Sequence, residues 1–305
     1  MRQLTTGGPE VPEVCLGTSP LGGMPAAYGY DVSADRAVST VRRAIELGLT
    51  FIDTSNEYGD GESERRIGRA LREADVDAAS CVLASKADPL RGEGLTGRRV
   101  LESFQESTDR LGTRFLDVYY LHDPDRFDVS ELMSRGGALD ALVDLKERGN
   151  VGLVGVAAGN LEILHRFLDT GRLDVVLCHN QFTVLDQSAN GLIDACLRQG
   201  VAFVNAAPYA SGMLAKDDAA KPRYQYQDPS PEVRQAVGWL RDVCADHGAP
   251  LPALALQFST RDPRIRSTVV GISSPGRVED LGRNLSHPIP AELWDAVTRR
   301  FPPHD

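Results

Sequence analysis

Four residues in the first half of the chain have the chemistry of a proton-handling site. Three of them close short apolar runs: Asp53 ends TFID, Lys86 ends CVLASK and His122 ends DVYYLH. Tyr58 follows in the segment after Asp53, beside two glycines. Taken singly, each has an ordinary structural explanation: a turn-capping carboxylate, a strand-end lysine that reaches water, a hydrogen-bonded core imidazole. Together, a carboxylate, an amine, an imidazole and a phenol beside consecutive strand ends indicate a catalytic site.

The chemistry expected of this set begins with the phenol. A phenol is a weak acid near pH 7, so Tyr58 can exchange a proton readily only if its anion is stabilised. The ammonium of Lys86 would do that, and Asp53 would hold and compensate the ammonium. Tyr58 would then exchange a proton with a carbonyl or hydroxyl oxygen, to which His122 would also donate. An oxygen held in this way, next to a free carbon, suits hydride transfer, for which a protein must bind a nicotinamide.

These side chains require a frame that brings strand ends together. Eight short apolar or β-branched runs occur along the chain, near residues 14, 50, 81, 117, 152, 174, 202 and 268. The segments between them, such as 34–48, 95–112 and 137–149, repeat their apolar residues at intervals of three and four, which predicts helices. Several end near a glycine that fits a helix C-cap, namely Gly48, Gly112, Gly149 and Gly200. Continuously apolar strands that alternate with helices indicate a parallel sheet, and eight such units predict a (β/α)8 TIM barrel.

A doubly wound sheet is the alternative to the barrel. That fold binds dinucleotides at a Gly-rich turn that leads from an early strand into a helix. The segment GTSPLGG (17–23) is rich in glycine, but we do not expect a helix to start on it. We therefore predict the barrel, with residues 1–305 as a single domain. The longest connection contains the polar segment 215–231, which we expect to be functional or disordered.

Composition and charge restrict the function classes. The 305 residues are 42% hydrophobic and 25% charged, as in globular proteins, and carry a formal net charge of -10. An acidic surface repels phosphate backbones and anionic lipid, so we expect neither nucleic acid nor a membrane as partner. The first residues lack the basic and apolar regions of a signal peptide, which predicts a cytoplasmic protein. We expect no metal site, since Cys244 and His247 have zinc-like spacing but no second ligand pair.

The sequence also resembles the aldo-keto reductase superfamily over nearly its whole length. The resemblance rests on the spacing of the four residues, on YGDGESE from the tyrosine onward and on LHDPD around the histidine. Residues 1–23 resemble the N-terminal β-hairpin and first strand of that family, and GISSPGRVEDL (271–281) resembles its last loop. Within the superfamily, YYLHDPDR, NAAPYASGMLA and VLDQ are most similar to the L-fucose and D-threo-aldose 1-dehydrogenase branch, whose relatives include pyridoxal 4-dehydrogenase.

The resemblance implies that NAD or NADP lies extended across the mouth of the barrel. By position, the implied cofactor-binding residues are Thr18, Asp53, Asn160, His179, Asn180, Ala207, Tyr209, Ser211, Gly212, Gly271, Ser273 and Arg277. Two departures affect the nicotinamide ring. Many members hold the carboxamide with Ser-Asn where this chain has Ala157 and Ala158, which leaves Asn160 as a nearby substitute. Ala206 replaces the tyrosine that stacks on the ring.

A third departure affects the choice between the two cofactors. Gly271 and Ile272 stand where a lysine and a serine often bind the 2'-phosphate of NADP. Arg277 is the remaining cation, and a guanidinium can bind phosphate or stack on adenine. We therefore expect NAD to be used readily and leave NADP open. For Ser273 and Ser274, a helix N-cap is as good an interpretation as a phosphate contact.

For substrate, the branch implies an aldose 1-dehydrogenase that oxidises the anomeric hydroxyl of L-fucose or a related D-threo-aldose to a lactone. Tyr58 would then act as a base. The expected substrate-contacting residues are Tyr28, Tyr58, His122, Asp123 and Tyr209. The alternatives are a pyridoxal 4-dehydrogenase, a general aldehyde or ketone reductase, a nicotinamide-binding redox-sensing subunit, and an unrelated barrel isomerase or lyase. The sequence leaves the direction of reaction and the oligomeric state open.

Overall fold

The computed structural model contains a closed barrel of eight parallel strands, which confirms the predicted (β/α)8 fold. It describes residues 1–76, 78–90, 93–215, 224 and 227–302. An antiparallel hairpin precedes the barrel, formed by β1 (Arg2–Gln3) and β2 (Glu10–Val11). The barrel strands are β3 (Val14–Gly17), β4 (Phe51–Asp53), β5 (Val82–Ala87), β6 (Leu116–His122), β7 (Val151–Ala158), β8 (Val175–His179), β9 (Ala202–Ala206) and β10 (Ile265–Gly271). They follow one another around the barrel in chain order, and β10 closes it by pairing with β3.

Helices connect the strands where the sequence predicts them. The described α-helices are α1 (Pro25–Tyr28), α2 (Ala34–Glu46), α3 (Glu62–Glu73), α4 (Gly97–Leu111), α5 (Val129–Met133), α6 (Ala138–Glu147), α7 (Leu161–Leu168), α8 (Asn190–Gln199), α9 (Pro231–Asp246), α10 (Leu251–Thr260), α11 (Pro275–Ser286) and α12 (Ala291–Arg300). Short 3-10 helices span Ser19–Gly22, Ala78–Ser80, Pro124–Arg126 and Ala210–Gly212.

The helix ends follow from local residue chemistry. Ser33 and Thr96 accept hydrogen bonds from backbone amides in the first turns of α2 and α4. The predicted terminal glycines all have left-handed backbones, with φ of 82° at Gly48, 76° at Gly112, 74° at Gly149 and 69° at Gly200. One expectation needs a correction: a helix does begin within 17–23, but it is a single 3-10 turn at Ser19–Gly22.

The apolar core has an inner and an outer part. Inside the barrel, alternate residues of neighbouring strands pack together, including Phe51, Ala84, Val118 and Tyr120. The opposite faces of the strands pack against the surrounding helices. The hairpin adds Leu4 to the inner cluster, so it covers one end of the barrel. The other end, at the carboxyl termini of the strands, presents the polar residues considered below.

Two sequence-based expectations are only partly addressed by these residues. Most of the segment 215–231 lies outside the described residues; within it, Tyr224 and Gln227 form an isolated antiparallel bridge. Among the described helices, none combines the length and apolar character that crossing a membrane requires.

Candidate active site

The four residues singled out in the sequence converge at the carboxyl end of the barrel. The Lys86 Nζ donates to Asp53 Oδ1 at 2.6 Å and to the Tyr58 hydroxyl at 3.2 Å. A third bond, at 2.7 Å, goes to the carbonyl of Thr54. The rings of Tyr58 and His122 meet edge to face, with centroids 5.7 Å apart and an interplanar angle of 80°. The ammonium has three N–H groups, and all three have acceptors.

Strand register explains how three of these side chains come together. Asp53 on β4 lies beside Ala84 on β5, and Lys86 lies two residues beyond Ala84. Lys86 in turn pairs with Tyr120 on β6, and His122 lies two residues further along β6. Side chains two residues apart share one face of a strand. Each polar residue therefore continues the row of apolar residues that fills the barrel interior.

Tyr58 is placed by a loop and by a close glycine contact. A Cβ atom at Gly22 would lie 2.9 Å from the carbonyl carbon and oxygen of Tyr58. Gly59 has φ +64°, and a Cβ there would lie 2.0 Å from the Gly22 carbonyl oxygen. The 3-10 turn after β3 thus supports the loop after β4, and both contacts require glycine.

Burial dominates the electrostatics of the Lys86–Asp53 pair. The exposed fractions of the two side chains are 2% and 5%. Burial raises the pKa of Asp53 above its ordinary value, and the charge of Lys86 acts in the opposite direction without cancelling it. The second oxygen of Asp53, Oδ2, is buried and has no hydrogen-bond partner among the described residues. The carboxylate therefore keeps capacity to accept one further donor.

Asp88 belongs to the site although the sequence analysis did not select it. It is fully buried, and His122 Nδ1 lies 2.6 Å from its Oδ1. Its Oδ2 accepts from the Ser55 hydroxyl and, at 3.0 Å, from the Glu57 backbone amide. The rule that selected Lys86 also points to Asp88, because it directly follows β5. The sequence does not show that Asp88 bonds His122, and this partner is what makes Asp88 part of the site.

A cavity of about 230 Å³ lies between the loops after β6, β7 and β8. Its lining residues are Asp123, Asp125, Arg126, Gly159, Asn160, His179, Asn180 and Gln181. Four of these are sequence-predicted contacts, so the structure brings Asp123, Asn160, His179 and Asn180 together. His179 Nε2 lies 3.5 Å from Asp123 Oδ1. Burial alone would raise the pKa of Asp123, but the His179 hydrogen bond and nearby positive charges lower it to about 2.

Asn160 has a second task that its position in the sequence did not indicate. Its Oδ1 accepts from the backbone amide of Ile163 at 3.2 Å, so the side chain is the N-cap of α7. This bond occupies the carbonyl oxygen of the side-chain amide. The amide N–H groups of Asn160 are the atoms that it can offer to a ligand.

Two further predicted contacts lie at the margin of the site. Thr18 is fully buried, and its hydroxyl donates to the Asp53 carbonyl and accepts from Ser63. The Thr18 side chain therefore supports the backbone of Asp53. Tyr28 ends the exposed helix α1, and its hydroxyl donates to Ser19 at 2.6 Å.

The segment after β9 has an unusual backbone. Ala207, Ala210 and Ser211 have φ of 60°, 47° and 57°, and Gly212 has φ 94°. Left-handed alanines are uncommon, and such strain concentrates at functional sites. Burial raises the pKa of Tyr209 to about 12, while its hydrogen bond to Asn284 on α11 acts in the opposite direction. The segment is thereby tied to the helix that carries the last group of predicted cofactor contacts.

That last group surrounds the start of α11. Gly271 is exposed at the end of β10, Ser273 is half-buried and Arg277 is 54% exposed. Ser274 occupies the N-cap position, but its side chain makes no capping hydrogen bond. The N-cap interpretation is therefore right for the position of Ser274 and wrong for its hydroxyl. The amides at this helix end suit an anionic group.

Comparison with known proteins agrees with this geometry. The Aldo/keto reductase family model matches residues 13–299. L-Galactose dehydrogenase of Arabidopsis thaliana is 31% identical, over 92% of this chain and 86% of its own. D-threo-Aldose 1-dehydrogenase of a Pseudomonas species is 29% identical, over 86% and 87% of the two chains. Pyridoxal 4-dehydrogenase of Microbacterium luteolum is 27% identical, over 97% and 96%.

Solved structures share the architecture. An aldo-keto reductase from Bacillus halodurans in its holo form has a TM-score of 0.82 at 21% identity, covering 99% of this chain and 96% of that one. An aldo/keto reductase from Klebsiella pneumoniae in complex with NADP and acetate has a TM-score of 0.74, also at 21% identity, covering 100% and 96%. These likenesses support the fold, and the family model and the relatives support the lineage. This chain therefore belongs to the aldo/keto reductase family of oxidoreductases.

Proposed function

We propose that this chain is an NAD(P)-dependent aldose 1-dehydrogenase, which oxidises the anomeric hydroxyl of a sugar to a lactone. The observation that carries the proposal is the Lys86 ammonium, which bonds both Asp53 and the phenol of Tyr58 inside the barrel mouth. A buried cation at that distance stabilises a phenolate. Tyr58 is then able to take a proton from a sugar hydroxyl near neutral pH.

Each of the four residues has a separate task in this proposal. Tyr58 exchanges the proton with the substrate oxygen, and Lys86 stabilises the phenolate through the 3.2 Å hydrogen bond. Asp53 holds the ammonium in place at 2.6 Å. His122 reaches the same oxygen from the next strand and orients it. The nicotinamide, when bound, supplies the hydride acceptor for oxidation and the donor for reduction.

The residues present fit a nicotinamide dinucleotide. Oδ2 of Asp53, which has no hydrogen-bond partner in the part of the chain that the structure describes, would accept from a ribose hydroxyl. Asn160, His179 and Asn180 line the neighbouring cavity and offer polar groups to a carboxamide. The left-handed segment 207–212 and the start of α11, with Ser273 and Arg277, would hold the phosphates and adenosine. With Gly271 and Ile272 in the last loop, we expect NAD to serve readily.

The cavity favours a polyhydroxylated substrate over an apolar one. Apart from the three residues that would face the carboxamide, its lining includes two carboxylates, a guanidinium and an amide that can bond sugar hydroxyls, from Asp123, Asp125, Arg126 and Gln181. Asp123 is ionised down to a pH of about 2, so it acts as an acceptor for hydroxyl groups. The names of two similar relatives, an L-galactose and a D-threo-aldose dehydrogenase, agree with this choice. Pyridoxal, which also carries polar substituents, is the second candidate, because the relative named for it matches 97% of this chain.

Initial rates test the proposal. The panel pairs NAD or NADP with L-galactose, L-fucose, D-arabinose, pyridoxal and an aromatic aldehyde, using wild type and Tyr58→Phe. We expect aldose oxidation by wild type and a loss of at least about 100-fold in Tyr58→Phe, the usual scale of general acid–base catalysis. The matched control is Tyr120→Phe, since the buried Tyr120 hydroxyl has no partner among the described residues. Full turnover by Tyr58→Phe contradicts the mechanism. Turnover of pyridoxal without turnover of any aldose contradicts the aldose proposal and favours pyridoxal as the substrate.

A further inference from the structure

We propose that Asp88 is a positioning residue that holds the proton on His122 Nδ1, so that His122 can donate to a substrate oxygen only as an imidazolium. The inference rests on the proposed function for its catalytic meaning, but the protonation pattern itself is a property of the free protein. It concerns a residue outside the four that the sequence selects.

The surroundings of Asp88 leave its carboxylate only one role toward His122. Its Oδ2 accepts from the Ser55 hydroxyl and from the Glu57 backbone amide. Its Oδ1 faces His122 Nδ1 at 2.6 Å, with a guanidinium nitrogen of Arg126 at 3.6 Å. The pKa of Asp88 lies below its ordinary value despite its burial, and an ionised carboxylate can only accept. The atom that faces it, Nδ1, therefore carries a proton.

The backbone of Asp88 is held as firmly as its side chain. Its amide donates to the Ser103 hydroxyl at 3.2 Å, and its carbonyl accepts from Arg99 Nε at 2.9 Å. Both partners lie on α4, so the helix behind β5 fixes the residue. The backbone bonds and the contacts of both carboxylate oxygens thus hold Asp88 against His122.

The titratable and charged groups around His122 have a net effect that favours its protonated form. Lys86 lies on β5, and Asp88 directly follows that strand. Glu57 and Tyr58 lie in the loop after β4, Asp123 and Arg126 in the segment after β6, and His179 on β8. Burial alone would lower the pKa of His122, and Lys86 acts in the same direction. The charge and hydrogen bond of Asp88 outweigh both, so the pKa of His122 lies above its ordinary value. Conversely, His122 lowers the pKa of Asp88 despite its burial.

A metal ion is not needed to explain this cluster. Ligand atoms of Glu57, Asp88 and His122 lie within 4.8 Å of one another. Arg126 already pairs with Glu57 at 3.1 Å and lies 3.6 Å from Asp88. Its guanidinium supplies the positive charge that the two carboxylates require.

The arrangement has a consequence for proton transfer. With Nδ1–H committed to Asp88, a neutral His122 presents the lone pair of Nε2, which accepts a hydrogen bond and cannot donate one. A sugar hydroxyl has one proton, and a neutral His122 would compete with Tyr58 for it. The imidazolium instead donates from Nε2 and leaves the hydroxyl proton to Tyr58. Catalysis that uses both residues together thus requires His122 to be charged.

The first test is the protonation pattern of His122 in the free protein. Nitrogen-15 NMR of histidine-labelled wild type across pH distinguishes the two neutral tautomers and gives the titration midpoint. We expect the neutral form to be protonated at Nδ1 and Nε2 to gain its proton as pH falls. A neutral form protonated at Nε2 overturns the proposal, and this outcome needs no variant.

The second test is Asp88→Asn, compared with Asp117→Asn at the other end of β6. An asparagine can donate to Nδ1, which permits a neutral ring with the proton on Nε2. We expect the His122 midpoint to move to lower pH in Asp88→Asn and the neutral tautomer to shift toward Nε2–H. We expect kcat/KM of wild type to fall at alkaline pH as His122 loses its proton, and this fall to weaken in Asp88→Asn. Asp117→Asn should leave the His122 midpoint, the tautomer and the kcat/KM profile as in wild type. An unchanged midpoint and tautomer in folded Asp88→Asn contradict the proposal, whereas correct NMR behaviour without aldose turnover contradicts only the proposed function.

Discussion

The buried pair of Lys86 and Asp53 gives a prediction that separates stability from catalysis. Lys86→Met replaces the ammonium with an apolar side chain of similar length and leaves the Asp53 carboxylate buried without its cation. Both side chains are at most 5% exposed, so solvent cannot take over the lost interaction. Removal of one partner of a buried ion pair costs about 3–5 kcal/mol. We expect a value near the lower end, about 3 kcal/mol at pH 7, because Asp53 can relieve the penalty by binding a proton.

The sign of the pH dependence follows from Asp53. Burial already raises its pKa in the wild type, against the effect of Lys86, and loss of Lys86 raises it further. A carboxyl group with a raised folded-state pKa binds protons more tightly when folded, so stability rises as pH falls toward the ordinary carboxyl range. Each further unit corresponds to about 1.4 kcal/mol. The deficit of Lys86→Met relative to wild type should therefore be larger at pH 7 than at pH 5.

Urea unfolding at the two pH values measures this deficit directly. The double variant Lys86→Met with Asp53→Asn should recover part of the loss, because no carboxylate is then left unpaired. Lys146→Met is the control: Lys146 pairs with Asp174 at a similar 2.6 Å, but the pair is 39% and 22% exposed, so about 1 kcal/mol or less is expected. An equal deficit at both pH values, with no recovery in the double variant, would refute the reasoning.

Two further variants test the supports of the site. Gly22→Ala should lower kcat roughly tenfold or more, because its Cβ would lie 2.9 Å from the Tyr58 carbonyl and displace that residue, while Gly191→Ala, with open space around it, should leave rates unchanged. Glu106→Gln should lower the free energy of unfolding by about 1–2 kcal/mol at pH 7, as measured by urea unfolding. Arg99 bonds both Glu106 oxygens at 2.7 Å and is the main cause that lowers the Glu106 pKa to about 2. A depressed carboxyl pKa stabilises above its ordinary value near 4.5, so the deficit should shrink as pH falls from about 5 toward 2 and would argue against the pair if it persisted.

The sequence predicted the frame of this protein because its signals are local. Apolar runs of strand length, amphipathic segments and terminal glycines each depend on near neighbours in the chain. The four residues of the candidate site could also be predicted from the sequence. A barrel brings its strand ends together on one face, and three of the four residues lie at such ends. Their convergence follows from register alone, as the pairing of Asp53 with Ala84 and of Lys86 with Tyr120 shows.

Other features depend on contacts that no local pattern reveals. The bond from His122 connects the end of β6 to Asp88, the residue after β5, and no local pattern marks Asp88 as its partner. The left-handed backbones of Ala207 and Ala210 had no signature, because alanine rarely adopts that conformation. The hydrogen bonds of the Thr18 hydroxyl to the Asp53 carbonyl and to Ser63 join residues far apart in the chain. Tertiary partners decide each of these cases.

Three of the four candidate catalytic residues lie on strands and one lies on a loop, and this difference affects how the substrate preference of such barrels can change. Asp53, Lys86 and His122 are spaced by the ladder of backbone hydrogen bonds between adjacent strands, so remodelling of the surrounding loops leaves their separation intact. Of the four residues, Tyr58 is the one that lies on a loop, and the close contact of this loop with Gly22 in the turn after β3 supports it. Changes in most loops can therefore alter substrate preference without displacing the reacting groups. Changes in the turn after β3 or in the loop after β4 would displace the Tyr58 hydroxyl.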